Sequence, residues 1–170
     1  MMQTPRLPWL TVFGLGRLRP APGTWGSLPP IALAGVLIAL GLGPADSPVL
    51  FAAVMLTVLL AFSAACIGQG DTAEAVFGKK DHGSIVADET AGQAVTLLWL
   101  PVWAMDTPLL TAFTLLLAFL AFRAMDIVKP WPADRLQRVP GGWGVLLDDL
   151  VAGAYAAIIV HACAHTAATI

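Results

Sequence analysis

Charge and hydrophobicity alternate along this chain in long blocks. The stretches 20–45, 47–70, 90–105, 107–122 and 150–170 carry no charged residue. All nine Lys and Arg, and nine of the eleven acids, fall instead in Met1–Arg19, Asp71–Glu89 and Arg123–Asp149. A helix that spans a bilayer needs about 20 apolar residues, with a range of roughly 17–25. Pro48–Ile67 and Val145–Ala164 meet that length, and Asp148 and Asp149 lie about a turn inside the second. Pro29–Gly43, Ala91–Met105 and Pro108–Phe122 are shorter, which suits tilted or re-entrant segments, and the second of these carries Pro101. The runs are rich in Leu and Ala, and no strand alternation competes with helix. Ser27 ahead of Pro29 and Pro30 reads as a helix cap with prolines in the first turn. Gly41, Gly43 and Pro44 stop that helix, and Lys129 before Pro130 ends the one containing Phe122–Met125. The pattern predicts an all-α, integral membrane helical bundle: about five apolar helices in one domain over residues 1–170.

Five crossings put all three charged segments on one face. The other face receives only Gly43–Pro48, Asp106–Pro108 and the tail after His165, none with Lys or Arg. Such a split follows the positive-inside rule and predicts that the charged face is cytoplasmic. Trp9, Trp25, Trp131 and Trp143 flank the crossings on that side, and Trp99 and Trp103 flank them on the other, as interfacial anchors do.

Composition agrees. Charged residues make up 12% of the chain, against roughly 25% in soluble domains, and mean hydropathy is +0.79. An apolar soluble helical domain is the weaker alternative. The net charge of −2 gives no reason to expect nucleic acid. The N-terminal apolar run is cut by Pro8 and Arg17 and does not read as a signal peptide. Cys66 and Cys163 sit in apolar runs and read as small core residues, not as a disulfide. No obligate protein partner is evident.

Each charged segment carries candidate chemistry. The first leads to Pro22-Gly23-Thr24-Trp25-Gly26-Ser27, where two glycines, the Thr24 and Ser27 hydroxyls and a helix start form a possible phosphate cradle; the alternative is an ordinary turn. The second contains Asp81-His82-Gly83-Ser84 and then Asp88-Glu89. Ser84 would cap a helix with Asp88 in its first two turns, with Gly92 on the same face as Asp88. Acids entering an apolar run are costly unless paired, protonated or metal-bound, although acids also favour helix starts. The third holds Arg123, Asp126, Lys129, Arg135 and Arg138, then Asp148-Asp149 inside Val-Leu-Leu and Leu-Val. Asp126 and Lys129, three apart, would form a local ion pair. Asp149 and Gly153 repeat the spacing of Asp88 and Gly92, so two helices packed at their glycines would bring their acids together.

The candidate ligands Asp88, Glu89, Asp126, Asp148 and Asp149 offer only oxygen, which favours a hard cation such as Mg2+. His82 stands alone on the charged side and is as readily a surface hydrogen bonder; His161 and His165 lie at the far end. Cys66 lacks the Arg of a cysteine phosphatase loop, no Asp-x-Asp pair serves an aspartyl-phosphate route, and no nucleotide-binding Gly-x-x-x-x-Gly-Lys loop is present. Metal-assisted attack by water remains as the natural route.

Ala21–Ser27, Asp81–Glu89, Phe122–Pro132 and Gly141–Gly153, in that order, resemble the motifs of the phosphatidylglycerophosphatase A family. Ala87, Ala124 and Met125 depart from its usual residues without removing a charge. The resemblance implies a bacterial inner-membrane, Mg2+-dependent enzyme that hydrolyses phosphatidylglycerophosphate to phosphatidylglycerol and phosphate, with its site facing the cytoplasm. The five carboxylates would hold metal, with Glu89 taking the proton of the attacking water. Arg123, Lys129, Arg135 and Arg138, with Thr24, Ser27 and His82, would engage the phosphate. The rival reading is a small divalent-cation transporter, which predicts acids at mid-membrane depth and on both faces. A non-catalytic scaffold gives no reason for so many acids near apolar helix starts.

Overall fold

The computed structural model describes residues 7–79 and 82–169; Arg6 and Asp81 lie outside them. Within these residues the chain is helical, without strands. The helices are α1 (Pro22–Ala39), α2 (Pro48–Phe77), α3 (Ala87–Leu98), α4 (Pro108–Val128), the single turn α5 (Ala133–Leu136) and α6 (Gly142–Ala168). Short 3-10 segments precede α1, at Val12–Arg17, and α4, at Val102–Ala104.

Helices α1, α2, α4 and α6 are each long and apolar enough to cross a bilayer. Exposed Val49, Leu60, Leu109, Phe113 and Ile158 leave them an apolar exterior, as expected where lipid is the solvent. The fifth expected crossing takes a different form. At 1.5 Å per residue, twelve-residue α3 is about 18 Å long, too short for the ~30 Å core. It stops at Leu98 because Pro101 lacks an N–H and disfavours helix at the residue before it. The irregular stretch after it lies beside the α1–α2 turn: Val102 and Met105 line a small cavity together with Gly43, Pro44 and Asp46.

Three boundaries differ from expectation. Helix α1 starts at Pro22 and not after Ser27, so Pro29 and Pro30 lie inside it. Proline at 30 removes the N–H that would bond Gly26 O. The Thr90 hydroxyl of α3 donates to that carbonyl at 2.6 Å, and this cross-helix bond lets α1 continue through the prolines. Helix α2 runs ten residues beyond Ile67, carrying Asp71 and Glu74 out of the apolar region, and ends at Gly78 with φ 65°. Helix α6 begins at Gly142, which puts Asp148 and Asp149 nearly two turns inside. Ser84 is not a cap: α3 begins after Val86, whose N–H donates to Leu10 O at 2.9 Å.

Helix α3 is the hub of the bundle, packed by α1, α2, α4 and α6, and nine of its twelve residues are buried. A Cβ on Gly92 would stand 2.5 Å from Asp149 O, and one on Gly153 would overlap Gly92 O. The glycines therefore let the α3 and α6 backbones touch, as small residues do in membranes. The Thr96 hydroxyl donates to Gly153 O across the same crossing at 3.1 Å.

Candidate active site

The crossing of α3 and α6 fixes where their acids stand. Asp88 and Glu89 occupy the first turn of α3. Asp149 comes from α6 one turn before Gly153. Ligand-capable oxygens of these three side chains lie within 4.8 Å of one another. Asp88 is 4% exposed and Asp149 2%, so mutual repulsion is not relieved by water. Glu89 Oε2 and Asp149 Oδ2 are buried and have no hydrogen-bond partner among the described residues. Buried carboxylate oxygens in that state must be protonated or paired with a cation. The α3 N-terminus contributes its positive dipole end at the same point.

The other two acids are already committed to basic side chains. Asp126 pairs with Arg123, one turn earlier on α4, at 2.6 Å. Asp148 pairs with Lys129 across the α4–α6 boundary. The expected Asp126–Lys129 pair does not form. Lys129 caps α4 in the left-handed region, with φ 48°, which directs its side chain across to α6. Burial alone would lower the Lys129 pKa; the hydrogen bond to Asp148 and the charges of Asp148, Asp149 and Asp126 outweigh that and raise it. The structure thus sorts five candidate ligands into a converging trio and two ion-paired acids at its rim.

Helix α1 closes the site from the side. A Cβ on Gly23 would overlap Glu89 Oε1 and stand 2.8 and 2.9 Å from the two terminal nitrogens of Arg123, so backbone here comes as close as a glycine permits. Ser27 is buried; its hydroxyl donates to Gly23 O at 2.8 Å and accepts from Arg123 Nη1 at 3.5 Å. Thr24 is partly buried in the first turn of α1, beside Gly23.

Three candidates take no part in these contacts. The His82 ring stacks on Phe77 at 4.4 Å and its Nδ1 accepts from Ser84 N at 3.2 Å, a local arrangement of the α2–α3 turn. Arg135 and Arg138 are exposed on α5 and the turn after it, and no described contact joins them to the trio. Two residues not singled out in the sequence matter here. Thr90 ties α1 to α3. Gln93, one turn beyond Glu89, is fully buried with its amide oxygen unpartnered among the described residues. The signal for both was a polar side chain at the head of the charge-free stretch 90–105.

The phosphatidylglycerophosphatase A family model matches residues 9–164. Phosphatidylglycerophosphatase A of Haemophilus influenzae is 36% identical over 155 residues, covering 88% of this chain and 83% of that protein. The Escherichia coli protein of the same name is 42% identical over 89 residues, 52% of this chain and 48% of its own length. A Bacteroides thetaiotaomicron protein that carries the provisional name phosphatidylinositol-3-phosphatase is 33% identical over 151 residues, covering 88% of this chain and 87% of that protein. No solved structure matches the chain. The chain belongs to the phosphatidylglycerophosphatase A family, and it is a membrane-embedded phosphatase.

Proposed function

We propose that this family member hydrolyses phosphatidylglycerophosphate to phosphatidylglycerol and phosphate, with Mg2+, at the cytoplasmic face of a bacterial inner membrane. The observation that carries the reading is the buried Asp88–Glu89–Asp149 trio beside two cationic side chains at the charged end of an apolar bundle. The orientation rests on the positive-inside rule, since every described Lys and Arg lies in a segment at that end.

The donor set fits the ion. It is all oxygen, and Glu89 Oε2 and Asp149 Oδ2 lack any other partner among the described residues, which suits a hard divalent cation. Asp88 and Asp149, with one oxygen of Glu89, would hold it. When bound, Mg2+ supplies charge for the phosphate and lowers the pKa of a coordinated water.

The chain's own groups do the rest. Arg123, steadied by Asp126 and Ser27, neutralises phosphate oxygens on the α1 side. Lys129 keeps its proton because of its acidic neighbours and adds charge from the α6 side. The first-turn N–H groups of α1, at Gly23 and Thr24, offer donors toward the same anion. Glu89 Oε1, next to Gly23 and Arg123, takes a proton from the attacking water. As the phosphorus–oxygen bond to glycerol breaks, that proton passes to the leaving oxygen. A lipid phosphate at headgroup height reaches these residues without leaving the bilayer.

The test is phosphate release from phosphatidylglycerophosphate in mixed vesicles, with and without chelator. Phosphatidic acid and phosphatidylinositol 3-phosphate serve as competitors, because the relatives' names divide between lipids. The proposal expects activity that EDTA abolishes and Mg2+ restores, and a loss of at least 100-fold in Asp149→Asn, beyond the 10–100-fold typical for partners of ligands. Full activity in EDTA, or in Asp149→Asn, would sink the metal reading. Preference for either competitor would sink the substrate assignment.

A further inference from the structure

Helices α1 and α4 meet at the charged end, where Ser27 and Arg123 touch. Toward the opposite end lies an open groove of about 520 Å3, lined by Gly35, Ile38 and Ala39 of α1 and Thr111, Ala112 and Leu115 of α4, and closed at its far mouth by Met105, Asp106, Thr107 and Pro108. The groove residues lie on the same helical faces as the site residues. On α1 the positions 27, 31, 35 and 38 follow the i, i+4, i+8, i+11 stripe; on α4 the positions 123, 119, 115 and 112 do the same in reverse. Midway, Ile31 and Phe119 are only partly buried, so the seam stays open to lipid along its length. At Gly35 an added Cβ would meet only Leu115 Cδ1, at 3.8 Å. Eight residues of helix separate Gly35 from Ser27 and Leu115 from Arg123, about 12 Å. That lies within the reach of a chain crossing one leaflet, about 15 Å or half the hydrocarbon core.

We propose that the α1–α4 seam is the lateral entry and acyl-chain groove of the lipid substrate, running from the headgroup site at Ser27 and Arg123 to Gly35 and Leu115. The proposal rests on the lipid phosphatase reading above and adds the side from which the lipid enters. Apolar chains fit the lipid-facing part of the cleft between Gly35 and Leu115, short of Asp106 at its far mouth, and the shared helical faces that lead back to Ser27 and Arg123 connect that part to a phosphate. A second groove, about 390 Å3, lies between α4 and α6 near Trp103, Val160 and Cys163. It is cut off from the carboxylates by the closely packed Ala121, Phe122 and Ala156, all buried.

Two measurements test this in the full-length protein in nanodiscs. The first uses phosphatidic acid with a diazirine midway along one acyl chain, followed by mass spectrometry of the crosslinked peptides. The proposal expects crosslinks concentrated on residues 31–39 of α1 over residues 160–167 of α6. Crosslinks centred on 160–167, or spread evenly around the bundle, would overturn it. The second compares wild type with Gly35→Leu on long-chain and dihexanoyl forms of the same lipid phosphate. Leu is the better helix former, so misfolding is disfavoured, while its side chain fills the groove. The ratio of kcat/KM for long-chain over short-chain substrate falls at least tenfold, the scale of one misfitted methylene in an apolar pocket. An unchanged ratio overturns the groove. Absence of phosphatase activity in wild type overturns the proposed function instead, and the crosslinking pattern reads the groove separately.

Discussion

Thr90→Val removes one hydroxyl and keeps the side chain's shape. In the native structure that hydroxyl has a single proton and two carbonyls in reach, Gly26 O at 2.6 Å and Val86 O at 3.0 Å. Val86 O already accepts from Thr90 N at 3.2 Å, so the shorter contact to Gly26 takes the proton. Gly26 O has no i+3 or i+4 donor of its own, because residues 29 and 30 are both proline. Thr90 is fully buried, and water does not replace it. The substitution therefore strands a buried carbonyl, a cost of roughly 1–3 kcal/mol; hydrogen bonds between membrane helices measure nearer 0.6 on average and about 1.7 at most, so about 1–1.5 kcal/mol is expected. The consequence extends to the site. The bond holds α1 against α3, and Gly23 of α1 touches both Glu89 and Arg123. A loosened α1 weakens phosphate engagement more than metal binding, so KM rises while Mg2+ affinity changes little. The assays are unfolding in SDS titration and vesicle kinetics, each run on wild type, Thr90→Val and Thr90→Ser. Ser restores the donor and should recover both readouts. The reasoning fails if Thr90→Val is as stable as wild type, or if Ser and Val behave alike.

Three further outcomes follow from the packing and charges. Lys129→Met leaves Asp148 buried without its cation and should destabilise the protein by about 3–5 kcal/mol; Lys129→Met with Asp148→Leu should recover most of that in SDS unfolding. Because the Lys129 pKa is raised in the folded state, its contribution is fully present below the unfolded value near 10.4 and fades only as pH climbs through the higher folded value, so the deficit of Lys129→Met should be constant from about pH 6 to pH 9. Gly92→Ala puts a methyl group against Asp149 O and the Phe122 ring, at 2.5 and 2.7 Å; overpacking of that kind costs about 1–3 kcal/mol, and displacement of Asp149 should lower Mg2+ affinity in calorimetry, whereas Gly68→Ala, with open space around it, should lower neither. Mg2+ should raise the unfolding midpoint, by an amount that rises with the logarithm of its concentration above the dissociation constant, a shift that Asp88→Asn abolishes.

What the sequence made legible, and what it concealed, divides along a physical line. The apolar blocks and the charge asymmetry each report a property of single residues against one solvent, and they carried over to the bundle. The acid-to-glycine spacing did as well, because Asp88–Gly92 and Asp149–Gly153 each describe one helix face and two such faces pack in a single way when their glycines touch. The misread features were choices between locally equivalent options. Asp126 has a cation three residues before it and another three after it, and periodicity treats them alike. Lys129, left-handed at the end of α4, sends its ammonium to Asp148 and leaves Arg123 for Asp126. Likewise Ser27-Leu28-Pro29-Pro30 is a plausible helix start until a hydroxyl sixty residues away supplies the donor that proline lacks. Both decisions bear on the same site. The cap at Lys129 assigns two acids to basic partners and leaves Asp88, Glu89 and Asp149 facing one another, and the Thr90 bond brings Gly23 onto that trio. A bundle whose interior holds three converging carboxylates must relieve their repulsion with protons or with a cation, and under the proposed function the cation brings with it the anion that the two bases at the rim would meet.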